Sequence, residues 1–202
     1  MRQRLHLAVY ALLAAAIAAA TVLANGAPQA AAPQTLAPRL PRYDKTRALL
    51  LPADYRQWVL AGTSLGLSYA EGAQPDEHPM FKETLIEPSA YRHFVETGEF
   101  REGTMLAMIM HGVGENALPG RHGQFASEMH GVEMAVKDSS RLPEGWAYYA
   151  FGGANWQTVS AAQPMPKSAC YDCHKEHAKR DNVFLQFYAM LSASAPRSAK
   201  LD

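Results

Sequence analysis

From Phe81 onward the chain changes hydrophobic period several times, and the changes outline its elements. Phe81 to Ile86 is a short apolar-ended run and predicts a strand. Pro88 then opens a segment in which Tyr91, Phe94 and Val95 recur at helical spacing, and Gly98 follows it. Proline loses no hydrogen bond in a first helical turn, and glycine suits a helix stop, so Pro88–Thr97 is predicted as a helix. Thr104 to Val113 is apolar on both alternating faces, the pattern of a strand covered on both sides. After a turn region over Gly112–Gly123, Gln124–Asp138 reads as another strand, with His130, Val132, Met134 and Val136 on one face. Glu133 and Lys137 fall on its other face, where solvated side chains are expected. Trp146 to Phe151 is a short aromatic strand, and 153–168 is a loop containing Pro164 and Pro166.

No glycine or proline interrupts Cys173 to Leu191, and Val183, Phe184, Phe187, Tyr188 and Leu191 form a stripe at helical spacing. One C-terminal helix is predicted there. Upstream, Leu51, Pro52 and Asp54 suggest a helix start or an extended lead-in to Tyr55–Leu60. Gly62, Gly66, Gly72, Pro75 and Pro79 mark a loop. No internal repeat is visible. The sum is one α+β domain over residues 49–194: a mainly antiparallel β-sheet with flanking helices and a C-terminal helix.

The ends read differently. Arg2 and Arg4 precede an almost unbroken apolar run from Leu5 to Leu23, and small residues follow at Ala24–Ala27. That order predicts a secretory signal peptide over residues 1–24, either cleaved or retained as a membrane anchor. Export to the periplasm follows in both cases. Residues 25–48, rich in Ala, Pro and Gln at their start, are expected to be a flexible linker, and 195–202 a disordered tail.

Composition narrows function mainly by exclusion. Hydrophobic residues make up 48% and charged residues 19%, an ordinary globular balance, and the formal net charge is zero. No basic surface for nucleic acid is indicated. The two cysteines fall within one five-residue window, which rules out a disulfide framework.

That window, Cys170-Tyr171-Asp172-Cys173-His174, is the C-x-x-C-H signature of c-type haem attachment. Two thiols add across the haem vinyl groups, and about one helical turn separates them appropriately. The histidine directly after the second cysteine then supplies the proximal nitrogen, making His174 the predicted metal ligand. A redox disulfide would call for a strand before the motif, but a proline-containing loop precedes it. A zinc site lacks a second cysteine pair and would have to borrow His174 and His177. One covalently attached haem c is the expected cofactor.

The residues leave the opposite side of the iron open. Met108 and Met110 on the buried strand could ligate it, as could His111, His130, His93 or His122. A methionine ligand would give a six-coordinate electron carrier. An unligating apolar wall would leave a five-coordinate iron open to small ligands, and the Met-rich strand favours this arrangement. Glu128 and Glu133 lie on the neighbouring strand and would serve proton transfer only if one pointed inward.

Four segments in order resemble the cytochrome P-460 family, which includes the cytochrome c′-beta proteins. They are Leu51-Pro52 with Tyr55–Val59, Thr97–Thr104, Gly131–Ser139, and Cys170–Lys179 running into Phe184, Phe187 and Tyr188. The resemblance covers about residues 50–192. It implies a mainly antiparallel β fold, often homodimeric, with a five-coordinate haem acting on small nitrogen species or gases. In hydroxylamine-oxidising members a lysine on the central strand is cross-linked to the haem. That position aligns with Met108 here, and no lysine lies between Arg101 and Arg121. Lys82, on another strand, is a poor substitute. Members without the cross-link bind nitric oxide or carbon monoxide in a hydrophobic and aromatic pocket, for which Phe81, Met108 and Phe125 are the candidate wall. The leading expectation is therefore binding of nitric oxide or a similar ligand. The alternatives are oxidation of hydroxylamine or nitric oxide, and His/Met electron transfer with a partner cytochrome.

Overall fold

The computed structural model describes residues 37–68, 78–152 and 157–196. The leader, most of the linker, Gly72, Pro75 and residues 197–202 lie outside them. No helix among the described residues is long and apolar enough to cross a membrane.

Five antiparallel strands form the main sheet: β2 (Val59–Leu65), β3 (Phe81–Ile86), β4 (Met105–Glu115), β5 (Gln124–Lys137) and β6 (Trp146–Ala150), in that spatial order. A two-stranded sheet pairs β1 (Leu49–Leu50) with β7 (Ala161–Ala162). Helix α1 spans Pro88–Thr97, α2 Tyr171–His177 and α3 Ala189–Ser194. The architecture is α+β and mainly antiparallel, as the periodicity predicts.

The double burial of β4 organises the molecule. Met105, Ala107 and Ile109 face a core shared with Val132, Met134 and Tyr149. Leu106 faces the other way, into a core built from α1 and the C-terminal segment through Ala90, Phe94, Leu185 and Leu191. In that second core Phe94 stacks on Phe100 at 4.7 Å, and Phe100 meets Trp146 edge-on at 6.2 Å. Such aromatic contacts add to the burial energy of the rings. Helix α1 has the predicted bounds. The Glu87 side chain accepts from the Ala90 amide at its start, and Gly98, at φ 77°, ends it in the left-handed conformation.

Four expectations need correction. Residues 37–48 belong to the folded domain rather than to a linker: the Tyr43 hydroxyl donates to Asp138 at 3.1 Å, the Leu50 amide donates to the Arg42 carbonyl at 2.8 Å, and Ala48 is buried. Residues 62–65, expected in a loop, belong to the strand Val59–Leu65. Gly62 is there for close approach, since a Cβ on it would lie 2.8 Å from the Tyr188 Cα, so the C-terminal segment crosses β2 at that point. The bulged register between β4 and β5 passes from Met110↔Gly131 to His111↔Met129, which takes His130 out of the alternation. Met129 then packs against the core in its place.

The fourth correction concerns the C-terminus, which is not one helix. Helix α2 ends at Ala178 in extended backbone, and Asp181 and Asn182 take positive φ values of 44° and 60°. An Arg180–Val183 bridge closes this turn, with its amide-to-carbonyl bond at 2.7 Å. Two consecutive left-handed residues between bridged ends fit a type I′ turn, which Asp and Asn tolerate. A 3₁₀ turn at Leu185–Phe187 and helix α3 then carry the apolar stripe onto the sheet. The stripe therefore reports burial, not continuous helix.

Candidate functional site

Cys170 precedes α2 and its carbonyl accepts the His174 amide at 3.0 Å, so the first helical turn carries Cys170, Cys173 and His174 together. All three line one cavity of about 330 Å³ between α2 and the face of the sheet. Burial, followed by the charges of Glu133 and Cys173, pushes the Cys170 thiol up to about 11. A thiol held protonated is a poor nucleophile and a poor redox cysteine. His177 is exposed beside Glu176 at the end of α2. Among the described residues, no group of three His, Cys, Asp or Glu side chains is arranged to hold a metal ion, so the geometry a zinc site needs is not found there.

His174 is more constrained. Its Nδ1 lies 2.8 Å from the Asn182 carbonyl oxygen. A carbonyl can only accept, so Nδ1 carries the proton and Nε2 keeps its lone pair. Burial lowers the imidazole pKa, which favours the neutral form that ligates metals. The ring sits between Tyr148 at 4.4 Å and Phe184 at 4.3 Å, which limits its rotation. Two thiols one turn apart and one imidazole with a preset tautomer, facing a walled cavity, fit a haem held by this segment.

The cytochrome P460 family model matches residues 52–185, well over half of the chain's 202 residues. The chain belongs to the cytochrome P460 family. Its cofactor is accordingly a haem. No curated protein matches the chain significantly.

In this cytochrome the wall opposite the motif comes from the sheet. Met108 and Met110 of β4 line the cavity, as do Lys82 and Thr84 of β3 and Glu133 of β5. The expected aromatic wall is built differently. Phe81 precedes Lys82 on β3, and adjacent strand residues face opposite ways, so it is absent from the lining. Phe125 sits on the β4–β5 hairpin, 47% exposed and stacked over Gly114, and is also absent from it. Tyr148, Phe184 and Tyr188 supply the aromatic surface instead. Their apolar spacing was visible in the sequence, but the fold that turns them inward was not.

Neither His93, His111, His122 nor His130 lines the cavity. His111 Nδ1 lies 3.0 Å from the Ser127 carbonyl and its Nε2 3.7 Å from Glu83, while His130 pairs with Glu128.

Two polar residues change the character of the pocket. Glu133 is the cross-strand partner of Met108, and Lys82 that of Met110. Strand alternation puts Glu133 on the face where solvated side chains are expected, yet this face of β5 is the cavity floor. Its carboxyl pKa is raised by burial, against the opposing pull of Lys82. Lys82 also donates to the Leu67 carbonyl at 3.3 Å. The cavity is thus methionine-rich with one acid and one base at its floor, rather than uniformly apolar.

Proposed function

We propose that this cytochrome is exported and carries one haem c, bonded through Cys170 and Cys173 and ligated by His174. On the side away from His174 it binds nitric oxide or a comparably small neutral ligand. The observation that carries this reading is the shared cavity, with the attachment motif on one wall and Met108 and Met110 on the other. When bound, the haem supplies a metal centre for small diatomic ligands. Around it, His174 offers Nε2 because Asn182 occupies Nδ1. Tyr148, Phe184 and Tyr188 keep bulk water away from that side. The methionine side chains disfavour anions, whose desolvation there is costly. Carbon monoxide fits the same description, and a homodimer is the expected assembly.

Titrating the ferrous protein with nitric oxide while recording its absorption spectrum tests this reading. A saturable spectral change is expected. A low-spin spectrum that does not respond would overturn it, and would point to a His/Met electron carrier using Met108 or Met110.

One observation favours a second reading, oxidation of hydroxylamine or nitric oxide with electrons passed to a partner cytochrome. Glu133 is a largely buried carboxyl in the cavity with its proton affinity raised, as a proton acceptor for a protic substrate needs. Steady turnover with an artificial electron acceptor, lost in Glu133→Gln, supports that reading; product no greater than free haem gives removes it.

A further inference from the structure

The Asn182 carbonyl oxygen receives two donors. His174 Nδ1–H reaches it at 2.8 Å and the Tyr148 hydroxyl at 3.1 Å. The acceptor is held rigidly. It belongs to the left-handed Asp181-Asn182 turn, whose Asp181 carboxylate takes one hydrogen bond from Trp146 Nε1 at 3.0 Å and one from Lys137 Nζ at 2.7 Å. Lys137 also donates to the Phe100 carbonyl at 2.8 Å. The turn that orients the imidazole is therefore fastened to both β5 and β6.

Two donors on one carbonyl oxygen compete, because each draws on electron density the other needs. We propose that Tyr148 is a positioning residue that sets the electron-donating strength of His174, by sharing the Asn182 carbonyl with the imidazole N–H. With the tyrosine hydroxyl in place the Nδ1–H bond is moderated, and the imidazole stays close to neutral in character. Without it, the carbonyl accepts more strongly from Nδ1–H and the imidazole gains imidazolate character. It then donates more strongly through Nε2.

This rests on the reading of His174 as the haem ligand, and one experiment separates the two. The iron–histidine stretching band of the ferrous haem protein is recorded by resonance Raman, with the midpoint potential measured alongside. Tyr148→Phe keeps the ring that packs on His174 and removes only the hydroxyl. The band is expected to move to higher frequency and the potential to fall. A fluorinated tyrosine at position 148 alone, a stronger donor, is expected to move both in the opposite directions, and it keeps the test decisive if the Phe variant does not hold haem. An unmoved band and potential in the variants overturn the role of Tyr148. Absence of any iron–histidine band in the unaltered protein overturns the ligand reading instead.

Discussion

At the scale of single residues, the site depends on how few polar groups enter a buried face and what each one does there. Glu133 is the clearest case. Burial raises its pKa above the ordinary 4.5, with Lys82 pulling the other way, so the folded state holds the proton more tightly than the unfolded chain does. Its contribution to stability is fully present below the unfolded value and is lost as pH rises through the folded value. Glu133→Gln should therefore be more stable than the parent at pH 7, where the neutral amide avoids the cost of burying a charged carboxylate. At pH 4 the two should converge. Chemical denaturation at the two pH values measures this, and an equal difference at both would show that the carboxyl is not desolvated. His174 works in the opposite sense. Its lowered pKa makes the folded state prefer the neutral ring, so that contribution is present above the ordinary histidine value and is lost as pH falls below it through the lowered folded value.

At the scale of elements, the C-terminal segment crosses β2 where only glycine fits. A Cβ at Gly62 would meet the Tyr188 Cα at 2.8 Å and the Phe187 carbonyl at 3.0 Å, both backbone atoms that cannot swing aside. Gly62→Ala should cost about 1–3 kcal/mol, as overpacking does. Gly152→Ala, where nothing lies within 4 Å, should stay within about 0.5 kcal/mol of the parent. Denaturant midpoints compare the two, and equal stabilities would contradict the crossing. The same crossing explains what was legible in advance. Strands β3 to β6 and helix α1 follow from period, proline and glycine placement, because their side-chain patterns answer to local burial. The strand at Gly62 was hidden because its one glycine reflects a contact with Tyr188, more than a hundred residues away in sequence. The break after α2 was hidden because the Asp181-Asn182 turn is stabilised by Trp146 and Lys137, partners that no local window contains.

The candidate site divides along the same line. Cys170, Cys173 and His174 stand out in the sequence because haem attachment would fix their spacing, and Met108 because the family resemblance puts the cross-link position there. Phe81 and Phe125 are the aromatic wall that the resemblance suggests, but strand alternation and the protruding hairpin put them elsewhere. The Asn182 carbonyl is a backbone atom and leaves no side-chain signal at all.

At the scale of the molecule, two cores on opposite faces of β4 hold the fold without using either cysteine. The chain with Cys170→Ser and Cys173→Ser is therefore expected to keep a β-rich circular dichroism spectrum and to unfold cooperatively. Its thermal midpoint should fall below that of the haem-bearing protein, because a group bound only in the folded state stabilises it. Each 1 kcal/mol lost corresponds to roughly 2–4 °C for a chain of this size. A random-coil spectrum would mean that haem attachment builds the fold instead of occupying it.

Attachment of the haem to the first turn of α2 is the claim from which the rest follows. The intact mass of protein matured in a cell competent for c-type haem assembly, read with its visible spectrum after acid–acetone extraction, tests it most directly. One haem added to the polypeptide mass, with colour that survives extraction, is the predicted result. A colourless chain at the bare polypeptide mass, or colour that extracts completely, would contradict it.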